Sequence, residues 1–175
     1  MNRMIQLKRA PLPLSLVVLV LICFALAPLA RAVVPPPDGG YPGGNTAEGD
    51  NALFHLTTGG FNTAVGWCSL WSNIGGLGNT AIGAGTLFAN SGDLNTATGA
   101  GALLSNTRGE NNTANGAFAL FSNTEGDANA VTGVGALFTN TTGARNTAVG
   151  AYSLFNNHIA SENTATGYQA LFLMT

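Results

Sequence analysis

Charge is scarce in this sequence: 6 Lys or Arg and 8 Asp or Glu stand among 175 residues. So few basic residues leave no electrostatic footprint for DNA or RNA, and no nucleic-acid partner is expected. Cysteine is scarce as well, and two Cys cannot build a disulfide scaffold. All 7 prolines fall at or before Pro42. The stretch from Gly43 to Thr175 is therefore free to form an unbroken ladder of backbone hydrogen bonds. Glycine is plentiful, at 24 residues, but it has no three-residue period, which excludes a collagen. The length allows one domain or two.

The apolar residues of the N-terminus form one run, Leu16 to Ala27, behind the basic Arg3, Lys8 and Arg9. Pro28 ends the run, and Ala30-Arg31-Ala32 has the small-x-small form of a cleavage site. A helix of that run reaches about 18 Å, short of a ~30 Å hydrocarbon core, so a cleaved signal is expected over 1–32 rather than a membrane anchor. Cleavage after Ala32 leaves 143 residues (175 − 32) with Arg108 and Arg145 as the only cations. Against eight acids the net charge becomes −6 (2 − 8), which favours an exported, soluble chain. Cys68 is then the one thiol, and burial is its expected fate. Residues 33–44 (VVPPPDGGYPGG) read as a Pro/Gly spacer.

From Asn45 the chain uses one motif eight times, with units starting at Asn45, Asn62, Asn79, Asn95, Asn112, Asn129, Asn146 and Asn163. The period is 17 residues, except for one unit of 16, Asn79 to Leu94. The consensus is N-T-A-x-G-x-x-A-L-F-x-N-T-x-G-x-x, with its residues numbered 1 to 17 below. The last unit is incomplete, running to its thirteenth position at Thr175. It carries apolar Leu171, Phe172, Leu173 and Met174 where a solenoid needs a polar cap, and it reads as a shortened array.

So regular a period means one structural unit per repeat, stacked on its neighbours. Residues 45–175 are expected to form an all-β, parallel β-solenoid of about eight coils. Columns of identical residues then lie ~4.8 Å apart. Asn62, Asn79, Asn112 and Asn146 belong to a column able to form an amide ladder. Gly66, Gly83, Gly116 and Gly150 mark a corner. Leu70, Leu87, Leu120 and Leu154 are core candidates. N-T-A-x-G is the clearest strand. The x-x-A-L-F-x-N half has helical spacing, but helices pack ~8–10 Å apart and would fan the stack. A short strand or a tight 3₁₀-like turn fits better. As a strand it would point the Leu column and the column of Phe88, Phe121 and Phe155 to opposite faces, leaving an apolar stripe that predicts a partner surface. In a bent segment both columns fill one core.

No catalytic constellation is legible. His55 and His158 lie in different columns and about six coils apart, roughly 29 Å, so they share neither metal nor substrate. They read as solvated loop residues. No acid recurs at one fixed position, which argues against a calcium-binding repeat, and no strand–GxGxxG–helix unit is present. No cofactor, metal or small-molecule substrate is expected.

The stacked N-T-A-x-G units behind a leader resemble the head repeats of trimeric autotransporter adhesins. They are similar also to the longer N-T-A-x-G-x-x-A-L-x-x-N-T-x-G arrays of bacterial surface proteins and phage-tail-like fibres. The resemblance covers Asn45 to Thr175. It implies a left-handed β-roll, a homotrimer and attachment to host or matrix macromolecules. The 17-residue period is longer than the usual head repeat, and these 175 residues contain no coiled-coil stalk or membrane-barrel pattern. The expected function is thus that of an exported, non-enzymatic attachment module at the cell surface. A passive fibre shaft is one alternative. An ice-binding solenoid using the Thr column at position 2 is the other.

Overall fold

The computed structural model describes residues 41–173. The cleavage residues Ala30 and Ala32, and the spacer as far as residue 40, lie outside the described residues. Eight strands follow in chain order: β1 Thr46–Glu48, β2 Thr63–Val65, β3 Thr80–Ile82, β4 Thr96–Thr98, β5 Thr113–Asn115, β6 Ala130–Thr132, β7 Thr147–Val149 and β8 Thr164–Thr166. Each occupies positions 2 to 4 of its unit. They form one sheet in the order β1 to β8, and every neighbouring pair is parallel. Register follows the repeat, with Thr63 on Thr80, Ala64 on Ala81 and Val65 on Ile82. The 16-residue unit keeps it, placing Thr80 on Thr96. The fold is a parallel β-solenoid, with no helix among the described residues.

Glycine at position 5 ends each strand for two reasons. Its φ lies between +116° and +141°, a region that L side chains avoid. A Cβ on Gly116 would also stand 2.6 Å from the carbonyl oxygen of Gly133 in the next coil. The column lets successive corners touch backbone to backbone.

Beyond the corner the chain makes two hydrogen-bonded turns. In the fifth coil Ala119 N–H donates to Gly116 O at 3.1 Å, and Asn123 N–H to Leu120 O at 3.2 Å. The tight-turn expectation is met in this doubled form, and no second strand per coil is present among the described residues. Every Leu of position 9 has a left-handed φ, between 49° and 54°. That conformation costs roughly 1–2 kcal/mol per residue. Burial offsets it: the six Leu from Leu70 to Leu154 are fully buried, and each fully buried Leu contributes about 1.5–3 kcal/mol. With the Ala columns of positions 3 and 8 they make one continuous core. Cys68 is buried as well, as a free thiol.

Polar groups inside the coils are satisfied by two amide ladders. At position 1, the N–H of Asn112 donates to Asn95 Oδ1 at 3.0 Å, and its own Oδ1 accepts from Asn129 N–H at 3.0 Å. Its Nδ2 also donates to the carbonyl of Gly126, at position 15 of the same coil. The pattern runs along Asn62, Asn79, Asn112 and Asn146 alike. A second ladder occupies position 12, where Asn106, Asn123 and Asn140 each donate Nδ2 to the Oδ1 one coil before, at 2.8 Å. These Asn are buried, so the ladders replace the water that a low-dielectric core excludes.

The array begins earlier than the period alone suggests. Phe61 N–H donates to Gly43 O at 2.8 Å, the same bond that position 17 makes to position 16 of the preceding coil elsewhere. Gly44 has φ +72°, matching the left-handed position 17 of later coils. Pro42 to Gly44 therefore take positions 15 to 17 of a coil before the first.

Candidate functional site

The groups that could carry chemistry are dispersed. His55 and His158 sit at exposed places in the first and seventh coils. Among the described residues, no group of three or more His, Cys, Asp or Glu could hold a metal ion. Several acids have backbone duties: Asp93 Oδ1 accepts from Leu77 N–H, and Asp127 Oδ1 from Glu110 N–H, both at 2.8 Å. Arg108 pairs with Glu125 at 2.9 Å and Arg145 with Glu162 at 3.0 Å, all four side chains being more than half exposed. Such pairs contribute under about 1 kcal/mol.

The position-10 column is the most organised surface. Trp71 stacks on Phe88 with ring centroids 4.9 Å apart and planes within 5°. Phe121, Phe138, Phe155 and Phe172 continue at 5.0, 5.1 and 5.1 Å. Leu104 divides the column into two runs. The rings are half-buried from Trp71 onward, and Phe54 at the start is exposed. Neither sequence-based alternative matches fully: the column is neither core nor a free stripe. Because the rings face one another along the stack, their edges look outward. That arrangement offers an apolar ridge, not a platform of open ring faces.

Position 7 widens the ridge. Phe118 lies 5.9 Å from Phe121 and Tyr152 lies 5.8 Å from Phe155, while Tyr168, at position 6 of the eighth coil, approaches Tyr152 at 6.3 Å. Phe118 rests on Gly101 and Tyr152 on Gly135; a Cβ on either glycine would meet the ring at 2.9 or 3.0 Å. Gly and an aromatic residue thus alternate along this column in coils 4 to 7. His55 extends the ridge at its start, packing edge-on against Trp71 at 4.2 Å, with Nδ1 3.1 Å from Trp71 O. It is exposed, as expected of a loop residue, but not merely solvated.

A second surface is the outer face of the sheet. Positions 2 and 4 point outward while position 3 is buried in every strand. This face carries in-register Thr63, Thr80, Thr96 and Thr113, with Val65, Ile82, Thr98 and Asn115 alongside.

Of the residues singled out from the repeat, Asn62, Asn79, Asn112 and Asn146 fall in one ladder. Gly66, Gly83, Gly116 and Gly150 fall in one corner column. Leu70, Leu87, Leu120 and Leu154 fall in the core. Phe88, Phe121 and Phe155 reach the surface. The aromatic residues of position 7 and the second amide ladder were not singled out. The pairing of Asn at position 12 with Gly at position 15, kept from the second to the sixth unit, was the available signal for the ladder. No protein-family model, no curated protein and no solved structure matches the chain.

Proposed function

We propose that this is an exported, non-enzymatic surface protein whose solenoid serves attachment, with three copies packed side by side along the aromatic ridge. The ridge is the observation that carries the reading. Phe121, Phe138, Phe155 and Phe172 form a continuous apolar line flanked by Phe118, Tyr152 and Tyr168, of which Phe118 is 46% and Tyr168 71% exposed. An apolar strip of that kind along a solenoid marks a partner surface. The repeat's resemblance to trimeric adhesin heads supplies the number of copies and the expected ligand class, a host or matrix macromolecule. Neither a nucleic acid nor a small-molecule substrate is part of the reading.

Two measurements test it. Light scattering on the exported chain should give the mass of three copies, and Phe138→Asp should reduce it to one. Saturable binding to extracellular-matrix components or cells should accompany the native assembly. Assembly without any binding favours a passive shaft. The ice-binding reading is favoured by one observation, the in-register Thr rank at position 2 of the sheet. Thermal hysteresis of the purified protein, with loss on Thr96→Tyr, would move the function to that face.

A further inference from the structure

Positions 10 and 7 carry aromatic rings in different ways. At position 10 each ring from Phe121 to Phe172 stacks on the next, so the ring faces are used up within the molecule. Position 7 keeps its rings apart. Phe118 and Tyr152 stand two coils from each other, and Gly101 and Gly135 occupy the coil before each. The two rings are set alike. Phe118 is turned 65° from Phe121 at 5.9 Å, and Tyr152 is turned 59° from Phe155 at 5.8 Å. Phe121, Phe138 and Phe155 are parallel to within 10° from one to the next, so Phe118 and Tyr152 are related by the same two-coil step. That step is ~9.6 Å in a parallel ladder, too far for either ring to cover the other.

The backbone marks the two rings as costly. Phe118 and Tyr152 both have a φ of 57°, in the left-handed region where Gly101 and Gly135 are at ease. A side chain there costs roughly 1–2 kcal/mol. For the Leu of position 9 full burial offsets this, but Phe118 is 46% and Tyr152 37% exposed. Strain that burial does not explain points to use of the side chain. The surroundings say what kind of use. Position 6 beside the rings is Ala100, Ala117 and Ala151, with Val134 between. Across the corner, Thr98, Asn115 and Thr132 are exposed at position 4. No charged residue occupies positions 4, 6, 7, 10 or 11 from the fourth to the seventh coil. The strip suits a ligand without charge that has both apolar faces and hydroxyl groups.

We propose that Phe118 and Tyr152 form a platform for a neutral, extended polysaccharide lying along the solenoid, of the equatorially linked class to which β-1,4-glucan and β-1,4-linked N-acetylglucosamine belong. A pyranose ring presents a face of C–H groups, which packs on the negative face of an aromatic ring. In such a chain alternate sugars turn over, so the geometry recurs every second sugar. Two sugars advance the chain by about the distance of two coils, and chain and platform therefore repeat together. An α-1,4-linked chain winds into a helix and lacks that straight repeat. The hydroxyls stand around the rim of each sugar, where the neutral groups of Thr98, Asn115 and Thr132 and the phenol of Tyr152 are at hand. The proposal rests on the attachment reading and deepens it by naming the ligand; it does not use the threefold assembly.

The test is calorimetric titration of the full chain with cellohexaose and with chitohexaose, against maltohexaose as the α-linked control. At least one β-linked hexaose should bind, and maltohexaose should bind at least tenfold more weakly. The disaccharide of the hexaose that binds, too short to reach both rings, should also lose at least tenfold. Phe118→Ala and Tyr152→Ala should each weaken binding at least tenfold, with an unchanged circular dichroism spectrum. No binding of either β-linked hexaose, equal binding of maltohexaose, or unchanged affinity in both alanine variants overturns the proposal. Light scattering on the same variants separates the platform from the assembly. The native mass with binding lost is the expected result. A mass that falls to one copy in either variant assigns the rings to the contact between copies, and overturns the platform while leaving the ridge reading. Saturable binding to matrix components without any glycan binding overturns the platform and leaves the attachment reading standing. Glycan binding by a native chain of one copy upholds the platform and sinks the threefold assembly.

Discussion

Replacing Asn112 by Ala should be among the most damaging single changes in the molecule. Asn112 lies in the middle of the array and is fully buried. Its side chain takes part in four hydrogen bonds. Nδ2 donates to Asn95 Oδ1 at 3.2 Å and to Gly126 O at 2.8 Å. Oδ1 accepts from Asn129 N–H and Nδ2, both at 3.0 Å. Three of the partners retain another contact: Asn95 Oδ1 keeps Asn112 N–H, Gly126 O keeps Asn123 Nδ2, and Asn129 Nδ2 keeps Gly143 O. The N–H of Asn129 keeps none. A buried donor left without a partner costs about 1–3 kcal/mol, and lost bonds and a small void add to it. A destabilisation of roughly 3 kcal/mol is expected. Urea unfolding followed by far-ultraviolet circular dichroism measures it as a lower midpoint at unchanged slope. Asn115→Ala, three residues on and exposed, is the control and should stay within about 0.5 kcal/mol. Equal effects for the two substitutions would refute the idea that the amide ladder holds the coils together.

Other predictions bear on the core and the corners. Leu120→Ala should cost about 2–5 kcal/mol, read as a lower melting temperature by calorimetry, because the site is fully buried. Gly116→Ala should cost at least as much, since its Cβ would lie 2.6 Å from Gly133 O at a φ of +139°. Gly85→Asn should be nearly neutral in the same assay. Its φ is +64°, which Asn tolerates, and the nearest atom to a new Cβ is 3.8 Å away on Leu104. Arg108→Ala should change stability by less than about 1 kcal/mol, even in low salt, because both partners of its ion pair are largely exposed.

The fold was readable because the period is strict. An Asn at each position 1, a Gly at each position 5 and the absence of proline after Pro42 already specify a stacked parallel ladder. The second half of each coil was harder. Leucine is a poor marker of left-handed backbone, yet Leu53 through Leu171 all adopt it. No propensity argument points there, because the stacked neighbours impose it. Position 7 gave a partial signal in Gly85, Gly101 and Gly135, but Phe118 and Tyr152 share the same backbone and conceal it. The ridge was half legible. The Phe column could be counted, but its half-burial depends on how far the two turns rotate position 10, which sequence spacing does not encode. The participation of Pro42 to Gly44 was hidden by their lack of the consensus residues.

The most direct test of the attachment account is the solution mass of the chain. Light scattering on a sizing column measures it. The account predicts three copies at micromolar concentration, falling to one when Phe138→Asp is added. A single copy before that substitution would mean that the stacked rings serve the solenoid alone, and would contradict the proposal.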